Sequence, residues 1–366
     1  MKVVLIVASS ARMLARAAKN IGFMPLVIDL FADLDTQAYA QDFRQVKSLA
    51  QSDLAAAVDY FVESYAVTQF IYGSGFENYP ESLYYLASRL TVLGNHPDVF
   101  AKQLDKPGFF ATLANLHISY PEVAFSPPAQ GTWLVKPRQG QGGIGIEYYR
   151  TGDNAKASVY WQRFQQGQPH SILFVTDGQN VQVIGFNRQW SVGLSATQAF
   201  IFSGVINSCE LSDVNKAEII GWLKQLVPVF GLKGLNSLDF IYFENCSYVL
   251  EINPRPSASM QLYAPDLLAQ HVQTCLGALV ADGRLTLPPQ VGYQVVYADA
   301  KVTIPDQFAW PTWCMDLPRL GNICHTGQPI CSIIAHQKQS ASVAEQLLMQ
   351  QQFLFNKLKG FDQYGI

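Results

Sequence analysis

The chain has 366 residues, of which 49% are hydrophobic and 14% charged, and its formal net charge is −3. That is enough apolar material for two or three packed domains and too little charge for a disordered chain. The near-neutral balance argues against a general attraction to nucleic acid or anionic lipid, and no stretch is apolar enough for long enough to span a bilayer.

The apolar run after Met1 and Lys2 is too short for a secretory signal, and Arg12, Arg16 and Lys19 follow it at once. Residues 3–7 (Val-Val-Leu-Ile-Val) instead predict a strand buried on both faces of a parallel sheet. Ser9 and Ser10 are placed to cap a helix over about 11–20, which Gly22 closes. Residues 25–29 predict the next strand, and 53–66 with 69–72 predict another helix–strand unit. Residues 1–95 therefore read as a small doubly wound α/β domain without the G-x-G-x-x-G turn of a dinucleotide site.

The middle of the chain changes character. Residues 109–116 predict a helix and 132–136 a strand, followed by a loop with Gly140, Gly142, Gly143 and Gly145. Asp177-Gly178 marks a hairpin between 171–176 and 181–186. Helices are predicted over 215–230 and 267–280, and a second hairpin over 238–243 and 248–252. Pro288-Pro289 reads as a joint before a turn-rich remainder, residues 286–366, that ends in a helix over 343–358. Its cysteines, with Cys209, Cys246 and Cys275 upstream, form no C-x-x-C pair. Reduced thiols in a cytoplasm are expected, not a disulfide framework or a zinc site.

The second hairpin carries the strongest chemical signal. If its turn centres on Asn245, Asp239 and Glu251 are equidistant from the turn and pair across the strands, with side chains about 5 Å apart. Asn253 shares the face of Glu251, while Leu250 and Ile252 take the opposite face. Opposed carboxylates call for a neutralising cation, and oxygen-only ligands select Mg²⁺ or Mn²⁺. Pro254 and Pro256 end the strand and hold Arg255 where a guanidinium grips a transferring phosphoryl group. The competing reading is a hairpin whose carboxylates simply face water.

Lys136 ends a predicted buried strand, where an ammonium needs an anionic partner. The glycine loop behind it, Gly140, Gly142, Gly143 and Gly145, lets backbone N–H groups approach phosphate oxygens and lets the loop close as a lid. A weaker signal comes from Ser9, Ser10 and Arg12 and from residues 73–77 (Gly-Ser-Gly-Phe-Glu). These two strand ends read either as ordinary capping and turn chemistry or as the lining of an acceptor pocket.

Lys136-Pro137 before a glycine-rich loop, followed by Asp239 and then Glu251-x-Asn253-Pro254-Arg255-Pro256, resembles the ATP-grasp superfamily, and in particular its carboxylate–amine ligases. Asp105-Lys106 before Ile118-Ser-Tyr-Pro121, and Gln162-Arg163-Phe164 before Gly167, add to the likeness, which covers about residues 95–285. Residues 73–77 also resemble a poorly characterised group of predicted ATP-dependent carboligases, some linked to one-carbon-carrier coenzyme synthesis.

The resemblance implies a mixed α/β and α+β fold. Residues 1–95 would form the pre-ATP-grasp domain, 96–285 a two-lobed ATP-grasp domain, and 286–366 a small β-rich region with a terminal helix. It implies that Lys106 and Lys136 contact ATP phosphates, with Lys102 a rival to Lys106. Adenine would lie against Gln162 to Phe164, and Asp239, Glu251 and Asn253 would hold Mg²⁺. Gln162 departs from the acidic residue that many relatives carry there. The implied activity is ATP- and Mg-dependent ligation of a small-molecule carboxylate to an amine or thiol, in coenzyme or small-metabolite biosynthesis. Family members are often dimers, which leaves a homodimer open by analogy alone; neither nucleic acid nor membrane is expected as a partner. A phosphotransferase, a carboxylase-type enzyme and a non-catalytic nucleotide-binding protein are the alternatives on the same fold.

Overall fold

The apolar run near the N-terminus forms the strand Lys2–Val7, central in a five-stranded parallel sheet. Val4 to Val7 are completely buried, as helices on both faces require. The sheet runs, in spatial order, Asp42–Gln45, Phe23–Asp29, Lys2–Val7, Gln69–Tyr72 and Thr91–Val92. This computed structural model describes residues 2–150, 158–195, 197–279, 289–337 and 342–363. Met1, Val280 and Pro288, which figured in the sequence reading, lie outside the described residues.

Ser9 and Ser10 do not cap the helix that follows. It runs Arg12–Asn20 with Ala11 as its N-cap and no side-chain cap. Ser9 Oγ instead donates to the Ser74 carbonyl (2.8 Å), and Ser10 Oγ to Asp316 (3.3 Å). The Asp29 carboxylate, at the end of the neighbouring strand, accepts from the Ala11 N–H (3.4 Å), so an adjacent strand does part of the expected capping.

The middle and C-terminal regions share one sheet of eight strands. Its order is Cys246–Asn253, Gly234–Phe243, Gln168–Thr176, Val181–Val192, Ile201–Ile206, Val291–Tyr297, Pro329–His336 and Cys314–Met315. The long C-terminal strands thus extend the central sheet. The helix Asp213–Phe230 begins earlier than residue 215 because Ser212 accepts from the Asn215 N–H (3.2 Å), and Gly231 ends it in the left-handed conformation. Its Ile219, Leu223 and Leu226 pack with Ile172, Phe174, Leu238, Phe240 and Ile252 of the sheet. At roughly 1.5–3 kcal/mol for each fully buried large side chain, this layer anchors the strands that carry the site.

Four further strands form a smaller antiparallel sheet in the order Val123–Ala124, Val159–Arg163, Trp133–Pro137 and Glu147–Tyr148, and Val302–Thr303 pairs with Ile323–Cys324 in a two-stranded one. The parallel sheet joins the whole through a shared core. Val4, Ile6 and Leu14 pack with Leu173, Val175 and Leu235 of the large sheet and with Leu267 and Leu268 of the helix Leu267–Cys275.

Candidate active site

The predicted hairpin forms, but its pairing is more specific than a symmetric turn. Glu244 and Asn245, both with positive φ (48° and 63°), make a two-residue turn, so Phe243 pairs with Cys246 and Phe240 with Val249. The register then shifts, and Asp239 pairs with Glu251 as expected. Leu250 is the extra residue of a β-bulge. The bulge corrects its expected placement: Val249 and Ile252 enter the core under the helix, while Leu250, Glu251 and Asn253 all line the cavity on the other side.

That cavity, about 890 Å³, lies between the small sheet and the large one and reaches the turns at the end of the parallel sheet. Lys136, Gly142, Gly143, Gln162, Phe164, Asp239, Glu251, Asn253 and Arg255 line it. Gly140 and Gly145 belong to the same loop without lining the cavity. Lys106 sits behind the wall, buried, with Nζ 3.7 Å from Glu251 Oε2. Lys102 is exposed on the preceding helix and so offers no comparable contact.

Burial shapes the charges. Desolvation pushes the Lys136 pKa down to about 8, with Glu251 opposing the fall and Lys106 adding to it, so the side chain is still mostly the ammonium at neutral pH. Its Nζ donates to Gln162 Oε1 (3.0 Å), a neutral partner where a carboxylate would have held the charge more firmly. Gln162 Nε2, fully buried, has no partner among the described residues. Asp239 shows the opposite shift. Burial and the facing Glu251 push it up to about 7, despite hydrogen bonds from Gln189 (3.3 Å) and Asn253 Nδ2 (3.1 Å).

Two opposed carboxylates, one strongly raised, with an amide oxygen beside them, fit a hard divalent cation. Asn253 Oδ1 now accepts from Arg255 (3.3 Å), so ligation through that oxygen requires the amide to turn. Arg255 is itself clamped by Glu77, which accepts from Nε at 2.7 Å and lies 2.6 Å from Nη2. Glu77 also accepts from the Gly75 N–H (2.8 Å), and Gly75 has φ of 114°. The turn at residues 73–77 thus fixes the guanidinium.

The glycine loop crosses to the large sheet. Gly142 accepts from the Phe202 N–H (2.9 Å), and Gln141 Nε2 donates to Ser9 Oγ (3.2 Å). Gly143, at φ 79°, lies so close to Phe200 that a Cβ would sit 1.8 Å from the Phe200 carbonyl oxygen. Only glycine allows that approach.

Sequence reasoning missed Glu77 as the anchor of Arg255, Gln189 as a partner of Asp239, and Leu250 as a lining residue. A bulge has no sequence signal here, and the other two partners come from distant parts of the chain, Glu77 from a turn and Gln189 from a strand.

Residues 104–259 match the family model described as an ATP-grasp domain. Over 203 residues the chain is 26% identical to the carbamoyl phosphate synthase large chain of Clostridium beijerinckii, covering 47% of this chain and 18% of that one. The chain therefore spans less than a fifth of that relative's length. Among solved structures, a biotin carboxylase–β,γ-ATP complex from Campylobacter jejuni superposes with a TM-score of 0.71 at 13% identity, over 91% of this chain and 87% of that one. An L-amino acid ligase from Bacillus licheniformis gives 0.71 at 13% identity, over 98% of each chain. At such identity the likeness is one of fold.

Proposed function

We propose, from the ATP-grasp domain that residues 104–259 match, that this chain is an ATP-grasp ligase that activates a substrate carboxylate with ATP and passes the acyl group to an amine or a thiol. The observation that carries the reading is the convergence of Asp239, Glu251 and Asn253 with Lys136 and Arg255 on one cavity. In the proposed reaction a carboxylate oxygen attacks the γ-phosphorus, the bond to the bridging oxygen breaks, and ADP leaves. The nucleophile then attacks the acyl carbon, loses its proton and expels phosphate.

The parts suit a barrier made mostly of charge and alignment. Asp239, Glu251 and the Asn253 amide, once turned, would hold Mg²⁺, which would supply neutralisation of phosphate charge. Lys136 binds a phosphate oxygen, and Lys106 holds Glu251 in place. Gly142 and Gly143 shape the lid, and its closure excludes water. Phe164 and Leu250 offer apolar surfaces to the adenine, and the unpaired Gln162 Nε2 offers it a donor. Arg255, oriented by Glu77, stabilises the phosphoryl group in flight.

The test follows atoms. Purified protein with Mg–ATP is screened against carboxylates and amines for ADP release, and the active carboxylate is then labelled with oxygen-18. The reading expects label in the released phosphate. A stable phosphate ester with no free phosphate would contradict it and make the chain a phosphotransferase.

A further inference from the structure

The cavity has a second polar wall, away from the paired carboxylates. Arg12 lies where the Lys2–Val7 strand gives way to the first helix, and it is 2% exposed. Its Nε donates to Asp316 Oδ1 (2.7 Å) and lies 3.8 Å from Asp35 Oδ2, behind the cavity wall, and its Nη2 donates to Gln261 Oε1 (2.8 Å). Nη1 has no partner among the described residues. Asp316 also accepts from Ser10 Oγ at Oδ1 and from the Tyr293 hydroxyl at Oδ2, both at 3.3 Å. Ser10, Arg12, Gln261, Tyr293 and Asp316 all line the cavity. Asp316 adopts φ of 53°, and its turn is fixed from behind, because Asp35 accepts from the N–H groups of both Asp316 and Leu317 at 2.9 Å.

A buried ion pair is a poor source of stability, since well-packed apolar residues serve as well or better. This pair stands in the wall of a cavity, with one guanidinium nitrogen unengaged and the Asp316 side chain 16% exposed. We propose that it forms the subsite for a zwitterionic α-amino acid, whose carboxylate meets Arg12 and whose ammonium meets Asp316 and Tyr293. The cavity-facing charges cancel, so a zwitterion binds without leaving either member opposed by an unmatched charge. A simple anion would face Asp316, and a simple cation would face Arg12. The subsite rests on the ligase reading for its role as a substrate site, and its binding chemistry stands apart from it.

Calorimetry on the whole protein, with and without a non-hydrolysable ATP analogue and Mg²⁺, tests this with the free L-amino acids. The best binder is then compared with its N-acetyl and its carboxamide derivatives. Capping either end should weaken binding by about tenfold or more, because a buried charged group loses its partner. Tyr293→Phe should weaken the free amino acid while leaving the N-acetyl form unchanged. Arg12→Lys, which keeps the charge should Arg12→Gln fail to fold, should lower affinity for the free acid but not for its carboxamide. No binding by any free amino acid, or equal binding of capped forms, overturns the proposal. Failure to bind the ATP analogue with Mg²⁺ would overturn the ligase reading alone, because amino-acid binding is also measured without nucleotide.

Discussion

Asp239 and Glu251 face each other as like charges on adjacent strands, whereas Arg12 and Asp316 face each other as opposite charges drawn from the two ends of the chain. The first pair leaves a deficit that something outside the protein must fill, and its cost shows in the raised Asp239. The second pair is internally balanced, and Arg12 holds Asp316 below the usual carboxylate range in spite of burial. One cavity thus presents an end that calls for a cation and an end matched to a ligand with no net charge. In a ligase these are natural places for metal–nucleotide and for acceptor.

The comparison can be broken at either end. The largest effect is expected from Glu251→Gln, which removes half of the paired charge. Mg-dependent ADP release should fall by about a hundredfold or more, with amino-acid binding at the other end unchanged. Retained turnover would show that the carboxylates face only water.

Gly143→Ala should come next. The added Cβ meets the Phe200 carbonyl and strains a left-handed residue, so affinity for an ATP analogue should drop by about tenfold, and the melting temperature of the nucleotide-free protein should fall as well. Equal affinity would mean that the loop does not close on the nucleotide.

A smaller effect belongs to pH. Lys136, depressed to about 8, binds phosphate as the ammonium. Analogue affinity should therefore decline as pH rises through about 8, by up to about tenfold per pH unit. Lys136→Met should bind more weakly and lose that pH dependence. A slope that persists in Lys136→Met would assign the titration to another group.

The smallest prediction concerns the acceptor end. Asp33 is raised from 3.8 to about 8, by burial first and then by Asp316, Asp29 and Asp35, with Arg12 opposing. A carboxylate raised in the folded state contributes stability that is present below the unfolded value and lost as pH rises through the folded one. Asp33→Asn should flatten the fall in melting temperature between about pH 4 and 8 and melt higher at alkaline pH. An unchanged pH profile would show that Asp33 is not strained by its neighbours.

What the sequence reveals follows the distance over which its signals act. The run at residues 3–7 needs only its own composition, and the pairing of Asp239 with Glu251 needs only a short turn. Even there, the two-residue turn at Glu244 and Asn245 and the compensating bulge at Leu250 were invisible, because their effects on register cancel. The Ser9 and Ser10 cap failed because Ser74 and Asp316, brought up by folding, compete for both hydroxyls. The Arg12–Asp316 contact spans nearly the whole chain, so no periodicity or spacing could announce it. The strands Val291–Tyr297 and Pro329–His336 extend the large sheet, a long-range pairing that a turn-rich stretch does not signal.

In the proposed ligase the carboxylate pair and Lys136 form a joint nucleotide–metal site. Thermal melting with a non-hydrolysable ATP analogue and Mg²⁺, together and separately, tests it most directly. Ligand at a hundredfold over its dissociation constant adds about 2.7 kcal/mol to stability, and the full shift should appear only when both are present and be lost in Glu251→Gln. A shift with analogue alone that Mg²⁺ does not enlarge, or no shift in well-folded protein, would contradict it.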